Sequence, residues 1–221
     1  VRDAQTLVGF LVDEGIADPA RVGVTGGSYG GAQAWQLALL RDRTTAPDGT
    51  LVPWTSPRGA PISVAVAAPF YTWASLVGAL VPNGRGVDGS PPSAATLRAP
   101  VGVPLGTYLT GFFAGGPATA TAFYAPPTAD PSADFTAWFA RLTAGPPFVD
   151  DRGVDPVLHR ALDELERRAP LHAEPHGLVP VYQVQGTTDP LFPAIHAVQM
   201  RAKLLAADPR WPITSFFADV G

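Results

Sequence analysis

Residues 21–31 read RVGVTGGSYGG: a short β-branched run, a pair of glycines, a serine, a tyrosine and a second pair of glycines. Arg21 to Thr25 has the composition of a strand, and Trp35, Leu37, Ala38 and Leu39 supply the apolar positions of a helix predicted over 29–40. A serine in G-x-S-x-G between a strand and a helix marks a sharp turn that exposes a hydroxyl at the C-terminal rim of a sheet. Such a turn brings the residues two places before and after the serine together, so both must be small, and Gly26 and Gly30 meet that need. Ser28 is therefore the candidate nucleophile. The backbone N–H of Tyr29 is the candidate oxyanion donor, aided by the positive end of the helix that starts there.

Working outward, residues 2–14 predict an amphipathic helix with Leu7, Val8, Leu11 and Val12 on one side, and Asp18-Pro19 predicts a turn. A Pro-, Thr- and Gly-rich stretch to Pro61 reads as a loop. Residues 62–68 (ISVAVAA) are apolar throughout, as suits a strand buried on both faces of a parallel sheet. After a long interruption the alternation resumes: 179–185 (VPVYQVQ) as a strand, 186–190 as a turn, 194–206 as a helix and 213–218 (ITSFFA) as a strand. This succession predicts an α/β fold, a mostly parallel sheet with helices on both faces.

The interruption has its own composition, dense in Pro and Gly and poor in charge from Gly78 to Gly153. Helices are expected over 105–114, 132–143 and 156–168. The last has Asp155 as its cap, Pro156 in its first turn, Leu158, Leu162 and Leu165 as its stripe, and Arg167 and Arg168 at its negative end. The expected division is thus a first core part, 1–77, an insertion, 78–177, and a second core part, 178–221.

Composition narrows the chemistry. The net charge is −4 and the basic residues are scattered, so nothing argues for nucleic acid. With no cysteine, thiol catalysis and disulfides are excluded. Residues 99–129 carry no charge, but Pro100, Pro104, Pro117 and several glycines break them, so no membrane span of about 20 residues is available. The reading is of a soluble protein, cytoplasmic or secreted, with no cofactor and no metal. A phosphate-binding turn fits poorly. Ala32 stands where T-G-x-x-x-G-x-G needs its last glycine, Gln199 precedes the only lysine, Lys203, where a Tyr-x-x-x-Lys pair needs tyrosine, and G-x-x-x-x-G-K-[ST] is absent.

A serine nucleophile needs a base, and the base an orienting acid, in the chain order Ser, Asp or Glu, His. Asp189, in GTTDPLFP directly after the 179–185 strand, is the candidate acid. The histidine should follow the 213–218 strand, where only Asp219, Val220 and Gly221 remain. His159 lies on an insertion helix, His172 and His176 precede Asp189, and His196 sits within the following helix. The base is expected just beyond Gly221.

These residues resemble the cocaine esterase and X-Pro dipeptidyl peptidase-like branch of the serine α/β-hydrolases. The resemblance lies in VGVTGGSYGG at 22–31, TDPLFP at 188–193, the small-residue turn 219–221 and the position of the helical insertion. It implies an α/β-hydrolase fold with a helical lid. It also implies cleavage of small ester or peptide substrates through an acyl-enzyme on Ser28, with Asp189 and a histidine past Gly221. In that family the second oxyanion donor lies upstream of Val1 and a β-domain often follows, so the fold is expected to be incomplete at both ends and these 221 residues alone to hydrolyse little. A dipeptidyl peptidase also needs an acidic anchor, for which Asp88, Asp130, Asp134, Asp150 and Asp151 are candidates. Phe70, Tyr71 and Trp73 suit an apolar acyl pocket or core packing equally. The competing reading is a non-catalytic binding protein of the same fold.

Overall fold

The computed structural model describes residues 1–82, 102–119, 133–145, 148–150 and 153–220. The chain divides into two compact units, residues 1–74 with 169–221, and residues 75–168. In chain order the first unit holds α1 (Arg2–Asp13), β1 (Val22–Gly27), α2 (Tyr29–Leu40), β2 (Arg43–Thr45), β3 (Leu51–Pro53) and β4 (Val64–Phe70). The second holds α3 (Leu76–Leu80), α4 (Gly106–Ala118), α5 (Phe135–Thr143), β5 (Val149–Asp150), β6 (Gly153–Val154) and α6 (Pro156–Glu166). The chain then returns to the first unit with β7 (Val181–Gly186), α7 (Ile195–Ala207) and β8 (Ile213–Ala218).

β1, β4, β7 and β8 form a four-stranded sheet in that order, and every neighbouring pair is parallel. Together with the sharp β1–α2 turn this is the α/β-hydrolase type of fold that the sequence predicts. Residues 169–177 pack with the sheet unit: the Leu171 N–H donates to the Ala74 carbonyl and the His176 N–H to the Leu39 carbonyl.

The expectation of helices on both faces is met on one. Val22, Val64, Ala67 and Val181 form a single buried cluster with Trp35 and Leu39 of α2 and Met200 and Leu204 of α7, while Val8 and Val12 of α1 pack against it. Burying such side chains stabilises by about 1.5–3 kcal/mol each. On the other face Gly23 pairs with Val66, Tyr182 with Thr214 and Val184 with Phe216, and Val66, Tyr182 and Phe216 are left about half exposed. The described helices of the unit therefore cover one face, and the 62–68 stretch is buried on one side only.

α1 also turns differently from expectation. Leu7 and Leu11 are exposed, and the packed face is Gln5, Val8, Gly9 and Val12. The reason is close approach: a Cβ on Gly9 would lie 3.0 Å from Pro57 Cδ, so the helix seats on the face that lacks side-chain bulk. The β2–β3 hairpin lies in the stretch read as a loop. Its strands are three residues long and partly or fully exposed, too short for a periodic signal.

In the second unit, Val77, Val81, Phe148 and Leu158 form the buried cluster, and Phe113 of α4 stacks on Phe139 of α5 with ring centroids 4.1 Å apart. Asp155 caps α6 as read, its Oδ1 accepting from the Val157 and Leu158 N–H groups. Arg167 and Arg168 pair with Glu164. α3, α4, α5 and α6 line a half-open apolar cavity of about 330 Å³, walled by Leu80, Leu109, Phe113, Trp138 and Leu162 among others. Among the described residues no helix is long and apolar enough to cross a membrane.

Candidate active site

Ser28 joins β1 to α2 with φ 53° and ψ −121° and is exposed. For a residue with a Cβ this backbone is strained by about 1–3 kcal/mol, and it persists only where surrounding contacts impose it. Those contacts are visible. The Ser28 N–H donates to the carbonyls of Phe70 (3.2 Å) and Tyr71 (3.0 Å), at the C-terminal end of β4. Its carbonyl accepts from the Ala32 N–H at 3.1 Å and from the Thr72 hydroxyl at 2.7 Å.

The glycines divide the steric work unevenly. A Cβ on Gly26 would lie 2.6–2.9 Å from the backbone of Gly30, so the close approach expected between these two positions is present. A Cβ on Gly30 itself would meet nothing within 4 Å, so the need for a small residue does not fall there. It falls on Gly31, where a Cβ would lie 2.7 Å from Thr72 Cβ and 2.9 Å from the carbonyl oxygens of Gly26 and Phe70. Gly30 has its backbone, not its missing side chain, in the tight contact. Tyr29 opens α2, so its N–H is one of the first-turn amides with no acceptor inside the helix.

Asp189 sits in the turn after β7, half-buried, its Oδ1 accepting from the N–H groups of Leu191 (2.9 Å) and Phe192 (2.8 Å). The end of β8 runs beside this turn. The Thr187 N–H donates to the Ala218 carbonyl at 2.8 Å, and the Thr188 hydroxyl to Asp219 Oδ1 at 2.9 Å. Gly186 lies so close to Val220 that a Cβ there would fall 1.8 Å from the Val220 carbonyl oxygen.

Two buried polar residues absent from the sequence reading join the rims. The Thr72 N–H donates to Gln185 Oε1 at 3.3 Å, and Gln185 Nε2 donates to the Phe192 carbonyl. The available signal was a glutamine beside the last residue of a strand, where a core side chain is expected. Aromatic rings follow the same path: Trp73 lies 6.2 Å from Tyr29 and 5.1 Å from Phe192, centroid to centroid. Trp73 and Phe192 are buried, so this part of the aromatic group is core, while Tyr29 is two-thirds exposed.

The histidines occupy other positions. His159 pairs with Asp163 on α6, in the second unit. His176 is anchored at Leu39, the far end of α2 from Ser28, about 16 Å away at the helical rise. His172 is exposed in the segment leading to β7. His196 is buried in α7, and its Nδ1 accepts from the Ala74 N–H at 3.3 Å. Its proton is therefore assigned to Nε2, which is buried with no partner. Burial lowers its pKa to about 4, against the opposing pull of Asp189.

Of the candidate acidic anchors, Asp134 caps α5 through the Ala137 N–H, and Asp150 lies in β5. Asp88, Asp130 and Asp151 lie outside the described residues. Among the described residues no group of three or more His, Asp or Glu side chains converges to hold a metal.

No protein-family model matches the chain, and no curated protein does. Solved structures do. A puromycin-hydrolyzing peptidase of Mycobacterium tuberculosis aligns over 96% of this chain and 20% of its own, at 18% identity and a TM-score of 0.47. A bifunctional GH43-CE protein of Bacteroides eggerthii aligns over 97% and 23%, at 13% identity and a TM-score of 0.48. A truncated carbohydrate esterase from gut microbiota aligns over 97% and 55%, at 12% identity and a TM-score of 0.42. The chain spans about a fifth of the length of the first of these, and likenesses of this size carry nothing about its site.

Proposed function

We propose that this chain carries the nucleophile and acid of a serine hydrolase that cleaves ester or peptide bonds, of the cocaine esterase and X-Pro dipeptidyl peptidase-like kind. The observation that carries this reading is Ser28 held exposed at φ 53° and ψ −121° between a parallel strand and a helix. Its Oγ attacks the substrate carbonyl and forms an acyl-enzyme, which water then hydrolyses. The Tyr29 N–H donates to the oxyanion that develops, where one such donor typically stabilises by about 3 kcal/mol. Asp189 orients the imidazole of the base and stabilises it once protonated. β1 and β7 are separated by β4 alone, so their ends stand two strand spacings apart, about 10 Å. An imidazole with a hydrogen bond at each end spans such a gap between two side chains. The base is a histidine that follows Gly221, since β8 ends against the Asp189 turn. In this reading the insertion between β4 and β7 is a helical lid.

A second reading, a non-catalytic binding protein of this fold, draws on the position of His196, whose Nδ1 is committed to Ala74. A fluorophosphonate probe separates the two. In the protein extended by its native residues beyond Gly221, the probe should label Ser28, identified by peptide mass, and Ser28→Ala should abolish labelling. An extended protein left unlabelled at Ser28 would be the binding protein.

A further inference from the structure

We infer that Thr72 and Gln185 are positioning residues that couple the nucleophile turn to the acid turn through one buried hydrogen-bond chain. This rests on the reading of Ser28 and Asp189 given above. The chain is continuous. The Thr72 hydroxyl donates to the Ser28 carbonyl at 2.7 Å, and the Thr72 N–H donates to Gln185 Oε1 at 3.3 Å. Gln185 Nε2 donates to the Phe192 carbonyl, and the Phe192 N–H donates to Asp189 Oδ1 at 2.8 Å. Thr72 and Gln185 are 3% and 2% exposed, so water does not compete for these bonds.

The residue types are dictated at both positions. Position 185 must present one acceptor to the Thr72 amide and one donor to the Phe192 carbonyl, and a primary amide is the side chain that offers both from adjacent atoms. Glutamate would set an oxygen against the Phe192 carbonyl, and leucine would leave both backbone groups unpaired in the core. Position 72 needs a hydroxyl to reach the Ser28 carbonyl and a Cβ that fits beside Gly31. Ser28 stands in strained backbone, so a bond to its own carbonyl bears directly on where its Oγ points. At the other end, the Asp189 carboxylate is fixed by amides whose loop is tied to Gln185.

The test uses two readouts and a rescue. In the C-terminally extended protein, Thr72→Val and Gln185→Leu should slow fluorophosphonate labelling of Ser28 roughly tenfold, the scale of one lost positioning hydrogen bond. Thr72→Ser, which keeps the hydroxyl, should label within about twofold of the parent rate. The double variant should be little worse than either single one, because the two act as a unit. In the 221-residue chain, amide hydrogen exchange at Leu191 and Phe192 should speed up in Thr72→Val, although the substitution lies beside Ser28. Val179→Ala, which weakens the core at the opposite end of β7, should lower overall stability without that selective change. Parent-rate labelling in Thr72→Val, or unchanged exchange at Leu191 and Phe192, overturns the coupling. Absence of Ser28 labelling in the unsubstituted protein overturns the nucleophile reading and the positioning role with it, while the exchange data still report whether the two turns are linked.

Discussion

Gly26 and Gly30 meet backbone to backbone: a Cβ placed on Gly26 would lie 2.6 Å from the Gly30 carbonyl carbon, while one placed on Gly30 would meet nothing within 4 Å. The two glycines of the motif are therefore unequal. Gly26→Ala must push α2 off β1 and should cost about 1–3 kcal/mol. Gly31→Ala should cost a similar amount, because its Cβ would strike Thr72 and two carbonyl oxygens. Gly30→Ala enters open space on a helix and should be neutral or stabilising by up to about 1 kcal/mol. Urea unfolding of the three variants checks this, and a destabilised Gly30→Ala beside a tolerant Gly31→Ala would contradict the packing described.

The φ of 53° at Ser28 makes a second prediction. Glycine adopts positive φ without penalty, whereas alanine retains the Cβ that makes this backbone unfavourable. Ser28→Gly should accordingly be more stable than Ser28→Ala by about 1 kcal/mol, although both lose the hydroxyl. Equal stabilities in denaturant would mean that the turn relaxes in solution and that Ser28 is not held under strain.

Much of this was legible in the sequence because the signals were local. The helix over 29–40 and the strand over 213–218 fall where periodicity places them, and Asp155 caps the helix it precedes. What was not legible depended on partners far away in the chain. In β7 the polar residues Gln183 and Gln185 face inward and Tyr182 faces out, the reverse of a hydrophobic pattern. The inversion is possible because Gln183 finds the Ala197 carbonyl and the Ser215 hydroxyl, and Gln185 finds Thr72 and Phe192. No feature of residues 181–186 announces those partners. The same holds for α1, where Pro57 decides which side Gly9 presents, and for Gly31, whose neighbour Thr72 arrives from the segment after β4.

In the second unit, Asp155 joins two functions. One oxygen caps α6, and the other accepts from Arg141 Nε at 2.9 Å, so the Arg141 guanidinium holds its carboxyl below the ordinary range, with the capping amides adding to the effect. Asp155→Asn can still accept at the cap but loses the charge, whereas Asp155→Ala loses both. Asp155→Ala should destabilise the unit by about 1–2 kcal/mol and Asp155→Asn by less. Amide exchange along 156–166 gives the order, and Asn costing as much as Ala would show the ion pair, not the cap, to be the dominant contact.

His196 makes the fold sensitive to acid. Its folded pKa of about 4 lies below the ordinary value of 6.5, chiefly because the ring is buried, and protonation at Nδ1 would also set an N–H against the Ala74 N–H. The unfolded chain therefore takes up a proton first as pH falls. The stabilisation is complete above pH 6.5, declines through the window from 6.5 to about 4, and is gone below it. A shift of this size corresponds to about 3 kcal/mol across the window. His196→Gln keeps an acceptor for the Ala74 amide and cannot titrate, so its unfolding free energy should fall less steeply than that of the parent chain over the same pH range. Parallel pH profiles for the two proteins would show that the ring is open to water, and that the tie between α7 and the segment after β4 is not maintained in solution.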